Sequence, residues 1–166
     1  MTRGQGERLD DDLRQRRLPR QTRSLVGRSA EIVELRTLVT AGRVVTLFGP
    51  GGVGKTRLAV TVAEALQNDF GGGVFFVDLG TATRPDRLGE AFAAACRAPV
   101  GFAGPFEAVA SAYADRVAPF VVDSCEHLPA STASFVDALT ARCPQVAVIA
   151  TSRELLRIDV EYGFEV

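Results

Sequence analysis

Lysine is almost absent from this 166-residue chain: it occurs once, at position 55, and a single histidine, His127, is the only other basic residue that is not arginine. Arginine therefore carries the generic tasks of solubility and surface pairing, and Lys55 stands apart from them. Cysteine is scarce too. Cys96, Cys125 and Cys143 are odd in number and form no C-x-x-C pair, which excludes a disulfide framework and a zinc cluster. They read as small buried hydrophobes in a reducing compartment. No apolar run reaches membrane-spanning length, and the N-terminus is too polar for a signal peptide, so a cytoplasmic location is expected. Net charge is close to balanced at −1, which removes any overall electrostatic reason to bind nucleic acid. The imbalance that exists is local: residues 1–23 hold seven arginines against four acids and lack apolar periodicity. They are expected to form a disordered tail ahead of one domain over 24–166.

The lone lysine lies in Gly49-Pro50-Gly51-Gly52-Val53-Gly54-Lys55-Thr56, which fits G-x-x-x-x-G-K-[ST], the phosphate-binding P-loop. Glycines let backbone N–H groups turn toward phosphate oxygens. A compact ammonium reaches the phosphates as a point charge, where a planar guanidinium fits poorly. The Thr56 hydroxyl suits Mg²⁺. The flanks supply the required context. Residues 43–48 form a short β-branched apolar run that reads as a buried strand, and 56–68 show apolar residues at helical spacing. A helix start at this point aims free N–H groups at the phosphates.

Along the chain, helices are predicted over 29–39 (with Ser29 as N-cap), 56–68, 86–98, 106–116 and 131–142. Strands are predicted over 43–48, 74–79, 119–123 and 146–151, with 161–166 beginning a fifth. Strands that alternate with helices and read as continuous apolar runs predict an α/β fold: a three-layer sandwich around a mainly parallel sheet, incomplete at the C-terminus. Ligands of such sheets bind at the carboxyl ends of strands. Gly49, Asp123 and Thr151-Ser152-Arg153 all fall there. Asp123 closes Phe120-Val121-Val122 and is the expected Mg²⁺-side carboxylate. Position 124 is Ser, where a general base would often stand. Glu126, two residues on, is the remaining base candidate, so slow hydrolysis at most is expected. Arg153 is placed to read a γ-phosphate. Asp78, which ends the second strand, is taken as structural or capping, and His127 as packing or hydrogen-bonding beside Asp123.

Four segments together resemble one family: Leu25-Val26-Gly27-Arg28, the P-loop with Arg57-Leu58-Ala59, Val121 to Leu128, and Ala150-Thr151-Ser152-Arg153-Glu154-Leu155-Leu156. Their order and spacing look like the NB-ARC-like nucleotide-binding domain of STAND P-loop ATPases, with the nearest likeness to AfsR/LuxR-type bacterial ATP-binding transcriptional regulators. The resemblance covers about Leu18 to the C-terminus. It implies an ATP/ADP- and Mg²⁺-binding switch. Val26, Gly27 and Arg28 would lie near adenine and ribose, Gly49 through Arg57 would line the nucleotide, and Thr56 and Asp123 would hold the metal. Lys55, Asp123, Glu126 and Arg153 form the candidate catalytic set. Two positions depart from the family pattern: Ser124 replaces Asn and Leu155 replaces Pro. The lid, the winged helix and any DNA-recognition module of such regulators are not found in 1–166. The expected partners are therefore a nucleotide, and a homo-oligomer or a separate regulator protein, without direct nucleic-acid or membrane contact. Two rival readings remain: a truncated remnant or interaction module that binds nucleotide weakly, and an active AAA-like ATPase.

Overall fold

The computed structural model describes Leu18, Pro19 and residues 27–41, 44–67, 69–70, 73–82 and 84–166. Within these residues the elements run α1 (Ser29–Thr40), β1 (Val44–Phe48), α2 (Lys55–Leu66), β2 (Phe75–Asp78), α3 (Leu88–Cys96), α4 (Pro105–Tyr113), β3 (Ala118–Asp123), α5 (Pro129–Arg142), β4 (Val146–Ser152) and β5 (Glu161–Glu165). The strands form one sheet in the order β2-β3-β4-β1-β5, and every pairing is parallel. The expected three-layer α/β architecture is therefore present.

Alternation along the strands builds the layers. In β4, Val146, Val148 and Ala150 enter one core with Phe75, Phe92, Phe120, Val122, Val136 and Leu139, under α3, α4 and α5. Ala147 and Ile149 point the other way and join Val45, Leu47, Leu58, Val62, Leu66 and Val121, under α1 and α2. Every residue of β3 and β4 is buried. The first core is locked by aromatic contacts, with Phe75, Phe92 and Tyr113 each within 5.7 Å of the Phe120 ring, centroid to centroid.

Several boundaries differ from expectation, each for a local reason. Ser29 is the first residue of α1, not its cap, because the Arg28 carbonyl already accepts the Ile32 N–H at 3.1 Å. The predicted helix 86–98 divides into a 3₁₀ turn (Pro85–Arg87) and α3. It ends early because Arg97 is left-handed (φ 49°) and Ala98 N–H closes onto the Ala93 carbonyl at 2.9 Å. Helices α4 and α5 each start on a proline, one and two residues ahead of the expected positions, since proline is pre-set for the first turn. The segment expected only to begin a fifth strand pairs with β1 over five residues, from Val44↔Glu161 to Phe48↔Glu165. Its approach is fixed by the Glu161 carboxylate, which accepts the N–H groups of Leu156 (2.8 Å) and Arg157 (2.7 Å). Leu18, within the segment expected to be disordered, is buried in the core under α1 and α2. The rest of 1–23, apart from Pro19, and Val26 lie outside the described residues. No helix among the described residues is long and apolar enough to cross a membrane.

Candidate functional site

The strand order sets β4 between β1 and β3, so the carboxyl ends of three adjacent strands present Gly49, Thr151 and Asp123 side by side. The loop leaving β1 is shaped by its glycines. Gly49 has φ +146°, and a Cβ there would lie 2.9 Å from the carbonyl oxygen of Val166, which itself follows β5 and donates its N–H to Phe48 at 2.9 Å. Gly52 (φ +82°) and Gly54 (φ +96°) adopt the left-handed region that side chains disfavour. A Cβ built on Gly51, Gly52 or Gly54 would meet nothing within 4 Å, so this face of the loop is open. Gly54 precedes α2 and offers no side-chain cap, which leaves the positive end of that helix facing the opening.

Lys55 is buried although charged, at 8% exposure. Its ammonium donates to the carbonyls of Gly49 and Pro50, both at 2.8 Å. The loop thus folds around the lysine and holds its charge beneath the open face. Thr56, the next residue, donates its hydroxyl to Asp123 Oδ1 at 2.7 Å, which joins the start of α2 to the end of β3. Asp123 is also 8% exposed. Thr151 donates to the same Oδ1 at 2.6 Å and accepts the Ser124 N–H at 3.0 Å. A hydroxyl beside a fixed carboxylate is the donor set a hard divalent cation takes, and an open glycine loop over an ammonium is a cradle for phosphate oxygens. The residues present fit both groups.

The remaining expectations divide. Glu126 and Arg153 are brought together, with Arg153 Nε 3.7 Å from Glu126 Oε1; Arg153 is largely exposed and Glu126 half-buried. His127 is exposed, not packed beside Asp123, because the 3₁₀ turn Cys125–His127 carries it outward. Asp78 behaves as a local cap: its carboxylate accepts the Gly80 N–H at 2.7 Å. Arg28 is paired with Glu31 at 3.2 Å in the first turn of α1, next to Gly27 (φ +84°). Cys96, Cys125 and Cys143 are all buried free thiols, and burial pushes the Cys125 thiol far above its ordinary range. Two residues placed at this end of the sheet by the sequence were given no part in holding Asp123: Thr151, which bonds its carboxylate, and Ser124, which turns the chain after it. Thr151 leaves a signal in the sequence, a polar hydroxyl ending an otherwise apolar strand. The left-handed turn at Ser124 (φ 63°) leaves less, since Asn adopts that conformation more readily than Ser.

No family model matches the chain. An uncharacterised protein of Mycobacterium tuberculosis is 33% identical over 145 residues, which is 86% of this chain and 37% of that protein. A candidate HTH-type transcriptional regulator of the same organism is 38% identical over 137 residues, 80% of this chain and 15% of its own length. The chain therefore spans little more than a third of the one relative and a small part of the other. Among solved structures, Cdc6p from Pyrobaculum aerophilum superposes with a TM-score of 0.64 at 16% identity, covering 93% of this chain and 48% of that one. The ORC2 protein of Aeropyrum pernix, solved in ADPNP–ADP complexes, gives 0.59 at 14% identity, covering 86% and 48%. A STAND ATPase with a tetratricopeptide repeat sensor from Pyrococcus horikoshii gives 0.59 at 20% identity, covering 89% and 24%. At such identities the likeness defines the fold, and the fold is that of the P-loop NTPases.

Proposed function

We propose that this chain is an ATP/ADP-binding switch module of the STAND class, NB-ARC-like and linked to transcriptional regulation, with slow hydrolysis at most. The observation that carries the reading is the junction of Lys55 under an open glycine loop with the Thr56–Asp123 contact across β4. Gly49 to Arg57 would line the phosphates, with Val26, Gly27 and Arg28 toward the base and sugar. Thr56 and Asp123 would hold Mg²⁺, which when bound neutralises phosphate charge. Lys55 would give up the carbonyls of Gly49 and Pro50 for phosphate oxygens, so binding would loosen the loop's own latch. Arg153 would sense the γ-phosphate, leaving Glu126 to do so. The transcriptional link draws support from the HTH-type relative, and the switch from the fold shared with a STAND ATPase. A cytoplasmic location and assembly with copies of itself or with a regulator protein belong to the same reading.

Slow turnover follows from the residues beyond Asp123. Ser124 carries no base, and Glu126 stands two residues further on, past the left-handed turn at Ser124. Single-turnover phosphate release from Mg·ATP should run well below about 1 s⁻¹, the lower end of ordinary enzymes. Glu126→Gln should slow it less than tenfold. Release faster than that, abolished by Glu126→Gln, would favour the active AAA-like ATPase instead.

A further inference from the structure

We propose that Thr151 is a positioning residue for Asp123: its hydroxyl fixes which carboxylate oxygen faces the metal. The inference deepens the nucleotide-binding reading and rests on it. Thr151 is 2% exposed at the end of β4, the strand between those carrying the phosphate loop and the carboxylate. Its one proton goes to Asp123 Oδ1 at 2.6 Å, and its oxygen accepts the Ser124 N–H at 3.0 Å. Thr56 sends its own proton to the same Oδ1, at 2.7 Å. Two O–H donors on one carboxylate oxygen occupy both of its lone pairs. Oδ2 is then the oxygen left to accept from a metal-bound water; among the described residues it carries the longer contact from Ser124 Oγ, at 3.4 Å.

The arrangement also explains why a hydroxyl stands here at all. Val is the natural occupant of a buried, parallel strand, and it has the shape of Thr. A hydroxyl in that place costs desolvation unless it is used. It is used twice, on Asp123 and on the N–H of Ser124, whose φ of 63° turns the chain out of β3. One side chain therefore ties the rotation of the carboxylate to the turn that follows it. Thr56 alone would leave the carboxylate pinned from α2 only. Pinned from α2 and β4 together, its plane is set by two elements that meet at the site.

The test uses Mn²⁺ in place of Mg²⁺, followed by electron paramagnetic resonance, on the chain saturated with ADP. Thr151→Val should weaken Mn²⁺ binding to the ADP complex by about 10–100-fold, the usual effect of removing a partner that orients a metal ligand. Thr151→Ser, which keeps the hydroxyl, should restore it to within about threefold of the wild type. Thr151→Ala, which leaves room for a water, serves if the valine variant does not fold. A folded hydroxyl-free variant that binds Mn²⁺ as the wild type does, or a serine variant as weak as the valine one, overturns the role of Thr151 and leaves nucleotide binding standing. A wild type that binds no ADP, with metal or without, sinks the nucleotide reading and the metal role of Thr151 together.

Discussion

Thr46 sits at the middle of β1 with its hydroxyl wholly buried and no hydrogen-bond partner among the described residues. It contrasts with Thr151, equally enclosed but engaged twice. A buried hydroxyl without a partner lowers stability, and an isosteric apolar group removes the penalty. Thr46→Val should therefore stabilise the fold by about 1 kcal/mol, a rise of roughly 2–4 °C in Tm for a chain of this size. Scanning calorimetry checks it; a fall in Tm would mean that the hydroxyl is satisfied in solution. The same scale explains what could be read in advance. Lys55 and Thr56 were legible from the fixed spacing of the glycine motif, and Asp123 as the carboxylate that closes the apolar run Phe120-Val121-Val122. Thr151 was placed at the end of its strand, but its bond to Asp123 was not legible, because hydroxyls in strands are common and only the neighbouring Asp123 gives this one a task. His127 was misplaced because a 3₁₀ turn, invisible to periodicity, carries it outward.

At the scale of elements, the β1–loop–α2 unit is held from an unexpected side. Gly49 lies against the carbonyl of Val166, and the Val166 N–H returns to Phe48, so the end of β5 braces the entry to the glycine loop. Gly49→Ala forces a side chain onto a backbone at φ +146° and a Cβ to within 2.9 Å of that carbonyl. Its cost should be about 1–3 kcal/mol, seen as a lower urea midpoint with little change in slope. An unchanged midpoint would show that β5 does not brace the loop. Element order and type followed from apolar runs and glycine or proline punctuation. The ends did not: Pro105 and Pro129 start helices that pattern alone places later, and Arg97 stops one that alanine content would prolong. β5 was only half visible because its residues alternate weakly and its pairing depends on β1, far away in sequence. Glu161, which bonds two N–H groups of the preceding loop, is what lands it in register.

For the molecule as a whole, the order β2-β3-β4-β1-β5 explains why chemistry gathers at one edge of the sheet. Parallel strands all end on the same side, and placing β4 between β1 and β3 lets Thr56 reach Asp123 over the end of Thr151. The three-layer class could be read from alternating helices and strands, but the adjacency of β1, β4 and β3 could not, since nothing in a single sequence ranks strand neighbours. The central claim is that this edge binds nucleotide phosphates through the one lysine in the chain. Calorimetric titration of ADP and ATP with Mg²⁺ into the wild type and Lys55→Ala tests it most directly. The account predicts saturable binding of both nucleotides by the wild type. Loss of the ammonium should weaken it at least tenfold, a difference of about 1.4 kcal/mol, with the variant still folded. Absence of binding by the wild type, or equal binding by a folded Lys55→Ala, would contradict it.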